Sequence, residues 1–249
     1  MLPAATVSEH DGVRYLHLDS PWVQGAMCIA RPQRIELDYV QRMLASLLWL
    51  PQHELGAGRA VQLGLGAGAL TRFTLGALRM HTTVVEINPQ VVSACRAWFR
   101  LPDDGERLQV HLGDAAAWLQ GAAPGSTQLL HVDLYDHDAA APVLDDEAFY
   151  ADCRALLAEG GVMAVNLFGR HASYERSAAR IAVAFGADQM WRLQATREGN
   201  TVVVAGRGAV VPGRDELAAR ATNIEQRFLA RHGLPARKWL RMVKPYQPA

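Results

Sequence analysis

The chain has 249 residues, enough for one large domain or two small ones with a full core. Half the residues are apolar, a fifth are charged, and 25 basic side chains balance 25 acidic ones, so no general electrostatic pull toward nucleic acid or an anionic membrane is expected. Three widely spaced cysteines, Cys28, Cys95 and Cys153, form no CxxC pair, which speaks against a zinc knuckle or a disulfide framework and fits reduced thiols in a cytosolic protein.

The opening "MLPAATVSEHDG" lacks the basic start and apolar run of a secretory signal. No apolar run approaches the roughly 18 residues that a membrane span requires. The expected compartment is the cytoplasm. The runs "VRYLHLD" and "GAMCIA" then read as short strands around "SPWVQ". In "IELDYVQRMLASLLWLP" the residues Leu37, Val40, Met43, Leu44, Leu47 and Leu48 recur at helical spacing, and Pro51 stops the helix. "QHELGAG" reads as a hinge, dividing a β segment plus helix (1–55) from a second unit (56–249).

From Arg59 strands and helices alternate. The strands are "AVQLGL", "TTVVEI", "LQVHLG", "QLLHVDLY" and "VMAVNLF". The helices are "LTRFTLGAL", "PQVVSACRAWF" opened by Pro89, "DAAAWLQ" capped by Asp114, "DEAFYADCRALLAEGG" with Gly160 past its end, and "SYERSAARIAVAFG". "DQMWRLQAT" and "TVVVAGRG" flank "REGN" as a hairpin, and "RDELAARATNIEQRFLARHG" is a last amphipathic helix. The basic residues Arg237, Lys238, Arg241 and Lys244 around Trp239 read as a solvated end. Trp49, Trp98 and Trp118 read as core, and Trp22 as either a pocket border or an apolar anchor. Repeated βα units imply an α/β Rossmann-like fold, a parallel sheet with helices on both faces. By analogy of pattern, the terminal antiparallel strand marks the S-adenosylmethionine-binding version of it.

"LGLGAGAL" sets Gly64, Gly66 and Gly68 between the first strand of this unit and a helix, where glycines permit a tight turn and close backbone approach to a ligand. No GK[ST] follows, so the loop is not a P-loop. Glu86, at the end of the second strand, lies 86 − 64 = 22 residues beyond Gly64. That is near the roughly 20 expected of an acid that binds ribose hydroxyls. Asp114 combines a helix cap with possible reach to an adenine amino group. "HVDLYDHD" then brings Asp133, Asp136 and Asp138 to a strand end. Acids there can hold a metal, take a proton, grip a cation or face water. His131, Asp133 and His137 form a conceivable ferrous-iron set, against the plainer reading of a packed core histidine. Ser173 and Ser177 sit in no nucleophile elbow, so hydrolase chemistry has no support.

These residues resemble the spermidine synthase family of polyamine aminopropyltransferases over most of the chain. "LDSPWVQ" resembles the segment whose glutamine, here Gln24, contacts the nucleoside substrate. "ELDYVQRML" resembles the helix bearing a substrate-side tyrosine, here Tyr39. "VVEINPQVV" and "LGDAAAWL" resemble the ribose and adenine segments, matching Glu86 and Asp114. "HVDLYDHDAAAPVLDDEAFY" resembles the catalytic segment, with Asp133 matching the general base, Asp136 the amine-holding acid, Pro142 the gate proline beside the cofactor, and Phe149 and Tyr150 the following helix. The resemblance implies transfer of an aminopropyl group from decarboxylated S-adenosylmethionine to a diamine such as putrescine, without a metal, in a homodimer. The sequence departs from the family pattern at Ala67, where a loop aspartate is usual, at Val40, at Asn166 and at His137. Two alternatives fit the same motifs: a methyltransferase using ordinary S-adenosylmethionine, and a nucleoside-binding homologue without activity.

Overall fold

The computed structural model describes residues 2–134, 144–168 and 171–248. Asp136, His137, Asp138 and Pro142 lie outside the described residues. The chain begins with a three-stranded antiparallel meander, β1 (Ala5–His10), β2 (Val13–Leu18) and β3 (Gly25–Cys28). The reading of two strands here is corrected to three. His10 pairs with Val13 across Asp11-Gly12, and both turn residues have positive φ (49° and 74°). That is the geometry of a type I′ hairpin, and the Asp-Gly pair is its sequence signal.

The expected helix over 35–51 is shorter than its periodicity suggests. α1 (Asp38–Met43) tightens into a 3₁₀ turn over Leu44–Leu48. Every residue from Met43 to Leu50 is buried, so this stretch has no solvated side and is shaped by packing. Trp49 stacks on Trp191, ring centroids 4.7 Å apart, joining the segment to the large sheet.

That sheet has eight strands. The parallel part comprises β4 (Arg59–Leu63), β5 (His81–Glu86), β6 (Leu108–Leu112), β7 (Thr127–Val132) and β8 (Leu157–Phe168). β9 (Met190–Leu193), β10 (Asn200–Gly206) and β11 (Val243–Pro245) are added antiparallel. The order is β11-β9-β10-β8-β7-β4-β5-β6. The chain leaves β4 toward β5 and β6 on one side and returns to β7 and β8 on the other, so β4 and β7 flank the switch point where open α/β sheets bind ligands. The connecting helices are α2 (Ala69–Arg72, continued as a π turn to Ala77), α3 (Pro89–Trp98), α4 (Ala115–Gly121), α5 (Glu147–Leu156) and α6 (His171–Phe185).

Further expectations are corrected. The helix read over 146–161 ends at Leu156, and residues 157–161 already belong to β8. The register jumps from Thr127↔Leu157 to Leu129↔Val162, leaving extra residues bulged on β8. Gly160 (φ 75°) and Gly161 serve that bulge; a Cβ on Gly161 would lie 2.9 Å from the Thr127 carbonyl. The four basic side chains of the tail are exposed as expected, but the segment that carries them is not a free end. After α7 (Arg214–His232) it forms α8 (Ala236–Met242) and β11, with Trp239 only 1% exposed and Arg237 bonded to Glu225 (Nε–Oε1 2.7 Å). Trp98 is 51% exposed rather than core, with the Arg14 guanidinium 5.4 Å from its ring centroid. Trp22 is also exposed, at 55%, and is not a core anchor.

The N-terminal meander shares a core with the large unit. Leu16 and Met27 pack in one cluster with Leu65, Ala67, Val91 and Phe99. This contact lays the end of β2 and the start of β3 across the glycine loop.

Candidate functional site

The glycine loop leaves the C-terminal end of β4. Gly64, Gly66 and Gly68 all have left-handed φ (86°, 50° and 69°), which any side chain would oppose. Space is equally restrictive. A Cβ on Gly64 would lie 2.2 Å from the carbonyl oxygen of Asp133, whose own N–H donates to the Leu63 carbonyl at 3.0 Å. From the other side, a Cβ on Gly66 would come within 3.0 Å of the Gln24 carbonyl, and one on Gly25 within 2.4 Å of the Ala67 Cβ. Gln24 is therefore carried onto the loop by two bare glycine backbones.

Beneath the loop, Glu86 is 8% exposed at the end of β5. Its Oε2 accepts from the Leu65 N–H at 2.9 Å and its Oε1 from the Asn88 N–H at 2.8 Å. Burial pushes its carboxyl above the usual range, and the backbone donors pull the other way. The Ile87 N–H bonds it as well, and since a carboxylate offers about four lone-pair sites, it retains acceptor capacity for a ligand. Arg72 braces the same loop from α2. It donates to the carbonyls of Ala67 (2.6 Å) and Phe99 (2.8 Å), and burial lowers it to about 10. Asp114 is exposed at the start of α4 and accepts from the Ala117 N–H at 2.9 Å, so the cap is made.

The second half of the site lies at the end of β7. Asp133 meets Tyr39, from α1, whose hydroxyl hydrogen-bonds its carboxylate. Asn166, near the end of β8, donates to Asp133 Oδ1 at 2.9 Å. The Asn166 carbonyl oxygen in turn accepts from the Asn200 amide at 3.1 Å, at the start of β10. Burial raises the Asp133 pKa, and the bonds from Asn166 and Tyr39 oppose the rise. Gln24, Tyr39, Ala67 and Asp133 line one pocket with Glu36 and Gln62. Sequence reasoning missed Glu36 and Asn200. Glu36 had the nearby Tyr39 as a signal, whereas Asn200 sat in a stretch that reads only as a turn.

His131 is buried in the sheet, and its Nε2 has no hydrogen-bond partner among the described residues. Burial lowers it to about 3, so it is neutral. Among the described residues, no three His, Cys, Asp or Glu side chains are grouped to hold a metal ion, and no helix is long and apolar enough to cross a membrane.

The sequence is 32% identical over 231 residues to the polyamine aminopropyltransferase of Chromobacterium violaceum, covering 91% of this chain and 85% of the relative. The chain belongs to the polyamine aminopropyltransferase family. A second member, from Neisseria meningitidis, is 30% identical over 251 residues, covering 99% of this chain and 91% of the relative. No protein-family model matches the sequence. Among solved structures, a probable spermidine synthase from Corynebacterium glutamicum superposes with a TM-score of 0.76 at 17% identity, covering 95% of this chain and 88% of the other. Human methyltransferase-like protein 13, in complex with SAH, superposes at 0.67 with 20% identity, covering 77% and 92%. At these identities the structural likenesses speak to the fold, which aminopropyl- and methyltransferases share.

Proposed function

We propose that this protein transfers the aminopropyl group of decarboxylated S-adenosylmethionine to a small diamine such as putrescine, giving spermidine and methylthioadenosine. The observation that carries the reading is Asp133, a carboxylate with a raised pKa held by Tyr39 and Asn166 in a pocket that also borders the glycine loop. Glu86 and the loop hold the ribose and tail of the nucleoside, Asp114 the adenine, and Gln24 closes over it from the meander. Asp136 grips the amine and Pro142 borders the cofactor; both roles rest on family resemblance.

The chemistry asks little more of the protein than position and one proton transfer. The neutral diamine nitrogen attacks the aminopropyl carbon bonded to the sulfonium. A C–N bond forms, the C–S bond breaks, and its electron pair neutralises the sulfur as a thioether. Asp133 accepts the proton that the attacking nitrogen sheds. Its raised pKa makes it a better match to an amine than an exposed aspartate would be.

One observation favours a second reading. Ala67 places a methyl group at the pocket, and the Arg72 guanidinium bonds the Ala67 carbonyl. The lack of a negative charge at residue 67 suits the carboxylate of ordinary S-adenosylmethionine, and so methyl transfer. Binding of the decarboxylated and carboxylated forms separates the two: tighter binding of the decarboxylated form, with spermidine formed from putrescine, is expected. Tighter binding of the carboxylated form and methylated product would overturn the reading.

A further inference from the structure

Under the reading just proposed, the pocket must hold ammonium groups. The glycine loop supplies no negative charge for them. Residues 63–69, "LGLGAGA", carry no ionisable side chain. Gln62 is neutral and engaged, accepting from Thr71 Oγ1 at 2.5 Å and donating to the Leu65 carbonyl at 3.4 Å. Among the described lining residues, two are carboxylates, Asp133 and Glu36.

They differ in how they are held. Asp133 receives hydrogen bonds from Tyr39 and Asn166. Glu36, two residues before α1, has an Oε1 that is buried from solvent yet accepts no hydrogen bond among the described residues. Its cationic neighbour is Arg34, with Nε 3.4 Å from that same oxygen and a side chain 40% exposed. A carboxylate oxygen removed from water with only a long ion pair to answer it is costly, and the cost is relieved when a hydrogen-bond donor arrives. An ammonium group in this pocket is such a donor, with three N–H bonds to give.

We infer that Glu36 is the second anionic ligand of this pocket, binding a primary ammonium group that the loop is not charged to hold. Two ammonium groups have that chemistry: the tail of the sulfonium nucleoside and the far end of the diamine. Glu36→Gln distinguishes them, since it removes the charge and keeps the shape. Binding of methylthioadenosine, which has no ammonium, should stay within about twofold. Either decarboxylated S-adenosylmethionine should bind at least about tenfold more weakly or the KM for putrescine should rise by that factor, as expected for one lost charge-assisted hydrogen bond. The ligand affected identifies the group held.

Glu36→Asp should recover part of the loss. If all three ligands behave as with the unmodified protein, the inference is wrong. Arg34→Ala guards against a merely structural effect. It should leave ammonium binding intact or tighter, and a loss that copies Glu36→Gln would overturn the inference. An unmodified protein that binds both nucleosides but makes no spermidine would break the proposed reaction and leave this binding comparison readable.

Discussion

On the proposed reading the site has a nucleoside end and an amine end, and the two are built from different materials. The nucleoside end is mostly backbone: three glycines at positive φ, the N–H groups of Leu65 and Asn88 on Glu86, and the Ala67 carbonyl on Arg72. The amine end is mostly side chain, with Glu36, Tyr39, Asp133, Asn166 and Asn200 drawn from four separate stretches of the chain. A backbone site tolerates changes of side chain but not of conformation. A side-chain site can change its chemistry one residue at a time while the fold stays intact. The departures from the family pattern at Ala67, Val40 and Asn166 bear mainly on the amine side, consistent with that difference.

The sharpest way to separate the ends is Asp133→Asn. Turnover should fall by about 10²- to 10⁴-fold, the range for a lost general base. Methylthioadenosine affinity, measured by calorimetry, should change little. Normal turnover would remove Asp133 from the reaction. Gly64→Ala attacks the other end. Left-handed strain alone costs about 1–3 kcal/mol, and the added methyl meets the Asp133 carbonyl. A lowered Tm and weakened nucleoside binding are both expected; an unchanged Tm would mean that the loop relaxes freely.

A milder change tests the tuning of the acid. The hydrogen bond from Asn166 lowers the Asp133 pKa against the rise caused by burial. Asn166→Ala removes that opposition, so the Asp133 pKa should rise further. The base works ionised, and the acid limb of the kcat/KM profile should therefore move to higher pH. Tyr39→Phe should move it the same way. A shift to lower pH would mean that another group governs the limb. The smallest effect is expected for Asp114→Ala, a lost helix cap worth about 1 kcal/mol. Nucleoside affinity separates its two roles: a pure cap lowers Tm alone, whereas an adenine contact also weakens binding.

The same contrast explains what could be read without coordinates. The nucleoside end is local: a glycine cluster after a strand, and an acid one strand later, fall within 64–86 and announce themselves by spacing. The parallel part of the large sheet follows from alternating βα units. Elements failed where a local pattern was outvoted by distant partners. Residues 157–161 continue a helical pattern but are captured by Thr127 and Arg207 into β8. The basic residues after α7 look like a free end until Trp239 finds the core. At the amine end, Asp133 was legible as part of a charged run at a strand end. Asn200 was not, because its place depends on the antiparallel register that sets it against Phe168, two residues beyond Asn166.

That register gives the added hairpin a bearing on the reaction. Asn200 orients the Asn166 amide, and the Asn166 amide meets Asp133. Bulk water around a carboxylate must turn whenever the carboxylate gains or loses its proton, and that turning is part of an activation barrier. Two linked carboxamides fixed at strand ends are already turned. The antiparallel strand thus acts as a piece of solvent frozen in the right orientation. A hairpin shifted by one residue would thaw it without altering any group that touches substrate.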